Sequence, residues 1–265
     1  MSNKRVNKAY VRYDGTGRVI PGSLILNRFK PKVGNWSETP AYECCNDVPV
    51  PPSLRMLFSN ITEVSAIIGD ASNVANWNTY FDLPTYGNPF TSVIVVGNEI
   101  KLLGGSNIQV KEDLFSEGPN LGIYLLSVND EVGAIVELLE NAFGAEAGDY
   151  IGSPFLKTVY FGGLVTITGS YTFYDCGELT SFIAPNLVSI NEGAIFDTCI
   201  SLETIEIPSC TSLGSTVGNN LVFIDVTGNN VTLTVPSALM TCNSGNPDGD
   251  IQYLQANNTV TIVTV

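Results

Sequence analysis

TFYDCGELTSFIAP, residues 172–185, is followed at an offset of 23 residues by IFDTCISLETIEIP, residues 195–208, and this internal copy is the strongest structural signal in the chain. Phe173, Cys176, Leu179, Phe182, Pro185, Leu187 and Ile190 recur as Phe196, Cys199, Leu202, Ile205, Pro208, Cys210 and Leu213. One period earlier the same slots fall on Tyr150, Ser153, Leu156, Val159, Gly162, Leu164 and Ile167. Apolar slots that persist while the residues between them vary mark units whose core faces close only by stacking on one another. Burying one such Leu or Ile is worth about 1.5–3 kcal/mol. Within a unit, Leu202, Ile205 and Ile207 read as a short strand with Thr204 and Glu206 turned outward.

Away from this core the pattern loosens. Phe115, Gly118, Leu121 and Tyr124 repeat the spacing of Phe173, Cys176, Leu179 and Phe182, but the following copy starts late. The extra length falls in residues 129–148, where Val132, Ile135, Val136, Leu138 and Leu139 suit a short amphipathic helix or a long loop. Phe90, Val93 and Val96 are candidates for a still earlier unit. Toward the end, Val231–Val235, a short helix from about Asp250, and Val260–Val265 read as strand, helix and strand, a closure for the last open unit. At the start, Ala9–Tyr13 and Val19–Leu26, joined through Asp14-Gly-Thr-Gly17, read as a β-hairpin.

The repeat resembles the BspA-type leucine-rich repeat of bacterial surface antigens and phage proteins, whose units read approximately A-F-x-x-C-x-x-L-x-x-I-x-I-P. The stretch Asp70-Ala-Ser-Asn-Val-Ala-Asn-Trp77 is similar to a sub-pattern of that family. The opening KAYVRYDGTGRVIPGSLILNRFKPKVGNW and the tail from Val231 to Val265 resemble the ends of repeat proteins carried by tailed bacteriophages. These resemblances imply a structural virion protein, such as a fibre, decoration or adhesion component, made in the host cytoplasm. A bacterial cell-surface adhesin of BspA type and a polysaccharide-degrading tail spike are the alternatives. The expected fold is mainly β. A basic N-terminal β-module spans residues 1–50, a leucine-rich-repeat-like solenoid residues 51–219, irregular before 150, and a strand-helix-strand cap residues 220–265.

Charge supports a division of labour. The chain has 265 residues and a net charge of −14, yet residues 1–32 carry +7 and the rest −21. Lys4, Arg5, Lys8, Arg12, Arg18, Arg28, Lys30 and Lys32 make the N-terminal segment a candidate attachment surface for another virion protein, a second copy of the chain, or the acidic body itself. Nucleic acid is not expected, because these cations are spread through apparent strands and the acidic body repels phosphates. No apolar run suggests a signal peptide or a membrane span.

Catalytic chemistry is hard to find. The sequence contains no histidine, which removes the commonest general base and the most frequent metal ligand. Glu192 with Asp197 is a conceivable carboxylate pair for glycoside cleavage, but acidic side chains in turns are ordinarily solvated. Asn246, Asp248 and Asp250 could offer oxygens to calcium; without EF-hand spacing they read as a turn and a helix cap. Cys176 and Cys199 read as buried thiols, as do the adjacent Cys44 and Cys45. No enzyme activity, cofactor or metal is expected. The candidate ligand face is the outward strand column, with Tyr160, Ile183 and Glu206 in equivalent positions and Thr158, Ser181 and Thr204 beside them. Such a ladder suits a host protein or glycan.

Overall fold

The computed structural model describes residues 8–10, 25–27, 53–116, 120–145, 152–214 and 222–265. The chain divides into two compact units, residues 1–50 and 51–265. In the first unit, β1 (Lys8–Tyr10) pairs antiparallel with β2 (Ile25–Asn27), with Ala9 opposite Leu26. The remainder of the expected hairpin, with Arg12 and Arg18, lies outside the described residues, as do Lys4, Arg5, Arg28, Lys30, Lys32, Cys44 and Cys45.

The second unit is mainly β. It begins with β3 (Ser53–Phe58), α1 (Ile61–Ile68) and α2 (Val74–Tyr80). Strands β4 (Ser92–Val96), β5 (Glu99–Leu103) and β6 (Ile108–Val110) follow, then β7 (Leu125–Asp130) and β8 (Ile135–Leu138). Next come β9 (Thr158–Phe161), β10 (Thr166–Ile167), β11 (Ser181–Ile183), β12 (Ser189–Ile190) and β13 (Thr204–Glu206). The chain ends with β14 (Asn230–Val235), α3 (Gly249–Asn257) and β15 (Thr259–Thr264).

These strands form two sheets. The larger runs β15-β14-β13-β11-β9-β7-β3-β5-β4, and the smaller runs β12-β10-β8-β6. From β7 to β15 every pairing in the larger sheet is parallel, and the smaller sheet is parallel throughout. The 23-residue offset becomes spatial register: Val159 pairs with Phe182, Phe182 with Ile205, and Ile167 with Ile190. One inward row crosses all nine strands of the larger sheet through Val95, Ile100, Met56, Val128, Val159, Phe182, Ile205, Leu233 and Ile262. Alternation along a strand sends every second side chain into the core, so a single parallel register builds a continuous apolar seam.

A column of phenylalanines lies at one corner of the stack. Phe115, Phe143, Phe173, Phe196 and Phe223 are stacked ring on ring, with centroids 4.9, 5.2, 5.5 and 5.6 Å apart and planes within 8° of parallel. The backbone reinforces the column. Phe143, Phe173 and Phe196 donate their N–H groups to the carbonyls of Thr172, Ile195 and Val222, each the residue before the next ring. Two residues before the ring, Asp113, Asn141, Tyr171 and Ala194 adopt φ of 51–55°; two residues after it, Asp175, Thr198 and Asp225 adopt φ of 56–60°. These left-handed residues turn the chain sharply on both sides of Phe173 and Phe196, before Phe115 and Phe143, and after Phe223.

Four expectations need correction. The ring slot before Phe173 belongs to Phe143, and the stretch from Phe143 to its strand position Val159 is longer than that from Phe173 to Phe182; Tyr150, which the fixed offset assigns to the slot, lies outside the described residues. The described part of the stretch 129–148, residues 129–145, holds the end of β7, a turn and β8 rather than a helix or a long loop. Phe115 does occupy a ring slot, but the inward strand position belongs to Val128, since a short 3₁₀ turn at Gly122–Tyr124 intervenes. Phe90, Val93 and Val96 start no parallel unit: β4 folds back antiparallel on β5, and Phe90 packs its ring 5.6 Å from Phe81.

At the C-terminal end the strand, helix and strand are present. Asp248 accepts the Asp250 N–H at 3.0 Å and so caps α3, while β15 lies parallel to β14 along its full length. Phe223 also extends the ring column into this segment. Among the described residues no helix is long and apolar enough to cross a membrane.

Candidate functional site

The side chains opposite the apolar seam form two columns on the outward face of the larger sheet. One runs Ile94, Lys101, Arg55, Asn129, Tyr160, Ile183, Glu206, Thr234 and Val263. Beside it, Val96, Glu99, Leu57, Ser127, Thr158, Ser181, Thr204, Thr232 and Thr261 make the second. The six residues picked from the sequence, Thr158, Tyr160, Ser181, Ile183, Thr204 and Glu206, therefore fall in adjacent columns on three neighbouring strands. Thr158 is exposed and the other five are half-buried. From Ser127 to Thr261 the second column carries a hydroxyl at every strand, and parallel pairing keeps those groups in line.

Where the face turns antiparallel its character changes. Arg55, Leu57, Val96, Glu99, Ser127 and Asn129 line an open depression of about 440 Å³. Sequence reasoning missed this place, because β3, β4, β5 and β7 contribute to it and only their register brings the residues together. The signal available was the charge at the alternate positions of SLRMLF and EIKLL.

The smaller sheet has its own outward polar ladder. Gln109 donates to Glu137 at 2.5 Å, Thr168 donates to the other Glu137 oxygen at 2.7 Å, and the Thr166 and Ser189 hydroxyls meet at 3.1 Å. These groups hydrogen-bond one another along the ladder.

The remaining candidates take structural roles. Glu192 is exposed, whereas Asp197 is half-buried beside the ring corner. Burial, and then the Asp225 carboxylate of the next unit, raise the Asp197 pKa to about 6; the Asp197 charge is thus coupled to Asp225 rather than to Glu192. Burial, followed by the Asp197 and Asp175 carboxylates, pushes Tyr174 upward. In the suspected calcium strip, Asp248 is occupied in the helix cap and Asp250 accepts the Val222 N–H at 2.8 Å. The buried thiols serve the stack: Cys199 donates to the Phe173 carbonyl at 3.1 Å, and Cys176 points to that of Phe143 at 3.7 Å. Burial raises both thiol pKa values and suppresses the reactive thiolate. No protein-family model, curated protein or solved structure matches this chain.

Proposed function

We propose that the chain is a non-enzymatic structural protein of a tailed-bacteriophage virion. In this reading residues 51–219 are a BspA-type leucine-rich-repeat solenoid, residues 220–265 close it, and the basic N-terminal module attaches it to other virion proteins. The outward columns of the larger sheet then make the contacts with a host-surface glycan or protein.

The carrying observation is the pair of outward columns, which stay in register across nine strands and carry aligned hydroxyls from Ser127 to Thr261. A surface held by stacked backbones presents its groups at fixed spacing and loses little conformational freedom when a ligand docks. The charge split, +7 in residues 1–32 against −21 elsewhere, supports attachment through the N-terminal segment.

The test is made on purified phage particles. Mass spectrometry of virions is expected to find the protein at fixed stoichiometry, and its absence from particles refutes the assignment. Deleting residues 1–32 is expected to abolish incorporation while leaving the thermal melt of the body unchanged. Normal incorporation of the deletion variant refutes the anchoring role.

A further inference from the structure

The depression on the outward face is lined by one cationic side chain, Arg55. Arg55 on β3 lies directly across from Lys101 on β5. Like charges directly opposite each other in an antiparallel pair repel. Residues 33–265 contain only four basic side chains, and two of them are paired across β3 and β5. Lys101 itself is largely shielded from solvent, and the cation that lines the depression is Arg55. Arg55 is half-buried and forms no ion pair with any described residue. Glu99 sits opposite Leu57, diagonal to Arg55, and makes no ion pair with it.

We propose that this depression is a subsite for an acidic sugar, with the carboxylate of a uronate or sialate seated on the Arg55 guanidinium. The proposal rests on the reading of this face as a binding surface and names its ligand class. A guanidinium presents a planar fork that matches a carboxylate with two parallel hydrogen bonds. Around it, Ser127 provides a polar partner suited to ring hydroxyls, and Leu57 and Val96, 40% and 59% exposed, provide apolar surface for the C–H face of a ring. A volume of about 440 Å³ is in the range of small-ligand sites. Tyr160 stands next to Asn129 in the same column, one strand farther along, as a platform for a second sugar. A peptide strand fits less well, because on the face of a sheet the backbone groups are already engaged in the ladder and β-strand addition needs an edge.

The test is isothermal titration calorimetry on the full chain with trigalacturonate, 3′-sialyllactose and a sulfated trisaccharide, each against its neutral counterpart, and with a hexaglutamate peptide. At least one carboxylated saccharide is expected to bind roughly 10-fold or more tighter than its neutral form, the scale of a charge-assisted pair. Arg55→Gln is expected to erase that preference, Arg55→Lys to retain part of it, and Glu99→Gln to strengthen binding by removing a repelling carboxylate. Arg55→Lys keeps the charge, so it guards against a folding defect in Arg55→Gln; unchanged melts for both confirm that the variants are comparable. Equal affinity for acidic and neutral sugars, or a preference that survives Arg55→Gln, overturns the acidic subsite. If that neutral binding is lost in Tyr160→Ala, the face remains a glycan surface and only the subsite fails. Preference for the sulfated sugar or for hexaglutamate overturns the carboxylated-sugar assignment. Binding of no saccharide overturns both the subsite and the glycan reading of the face.

Discussion

Phe173 is held from both sides, 5.2 Å from Phe143 and 5.5 Å from Phe196, and its carbonyl receives the Cys199 thiol. Phe173→Ala is expected to cost about 3–5 kcal/mol in urea unfolding, because it opens a cavity in the middle of the column; Leu202→Ala is expected to cost about 2–5 kcal/mol. The position three residues after Phe173, Phe196 and Phe223 holds Cys176, Cys199 and Val226, and each donates its backbone N–H to the ring residue's carbonyl; Ser153, ten residues after Phe143, does the same for that ring. A thiol is therefore not obligatory there. Cys199→Val is expected to cost less than about 1.5 kcal/mol, as a volume-conserving change, and the native protein is expected to leave Cys176 and Cys199 unmodified by a thiol reagent that labels the exposed Cys242. Asp197 adds a pH dependence. Its pKa is raised to about 6 in the folded chain, whereas an unfolded Asp titrates near pH 3.9. Between those values the native state holds more protons, so its contribution to stability is full below about pH 4 and is lost as pH rises through 6. Melting temperatures measured from pH 4 to 7 are expected to fall less steeply for Asp197→Asn than for the unmodified chain.

At the scale of elements, the turn from β7 to β8 hangs on Asp130, whose carboxylate accepts the Ala134 N–H at 2.7 Å and the Ile135 N–H at 2.9 Å. All three residues are buried, so Asp130→Ala strands two amide donors and is expected to cost at least about 1–3 kcal/mol. The stacking of successive units sets a second limit. A Cβ on Gly169 would lie 1.9 Å from the Glu140 nitrogen and 2.1 Å from the Leu139 carbonyl carbon, so Gly169→Ala must push backbones apart. It is expected to destabilise by about 1–3 kcal/mol or more in the same unfolding assay. Neither residue stands out in the sequence, where Asp130 is one acid among 26 and Gly169 one glycine among 25. The slots of Phe182, Ile205 and Ile190 were legible because two adjacent units share one length. Phe143 and Val128 were not, because the stretches Phe143–Val159 and Phe115–Val128 are longer than Phe173–Phe182, and a fixed offset cannot follow them.

At the scale of the whole molecule, net charge and site charge act in different directions. The chain has a calculated isoelectric point near 4.2. Solubility is expected to pass through a minimum close to that pH, even though Asp197 and the buried Asp130, both raised chiefly by burial, make the fold itself more resistant to mild acid. Turbidity and melting temperature measured over the same acid series are expected to diverge. The β-rich composition, the 23-residue unit, the alternation that puts Thr158, Ser181 and Thr204 on the outer side, and the +7/−21 charge split can all be read from the chain alone, because each depends on local order along it. The ring column of five phenylalanines, the coupling of Asp197 to Asp225, and the meeting of Arg55 with Lys101 cannot. Those depend on which strands become neighbours, and insertions of variable length between the ring corner and the strand erase that information from sequence spacing while the backbone ladder preserves it in space.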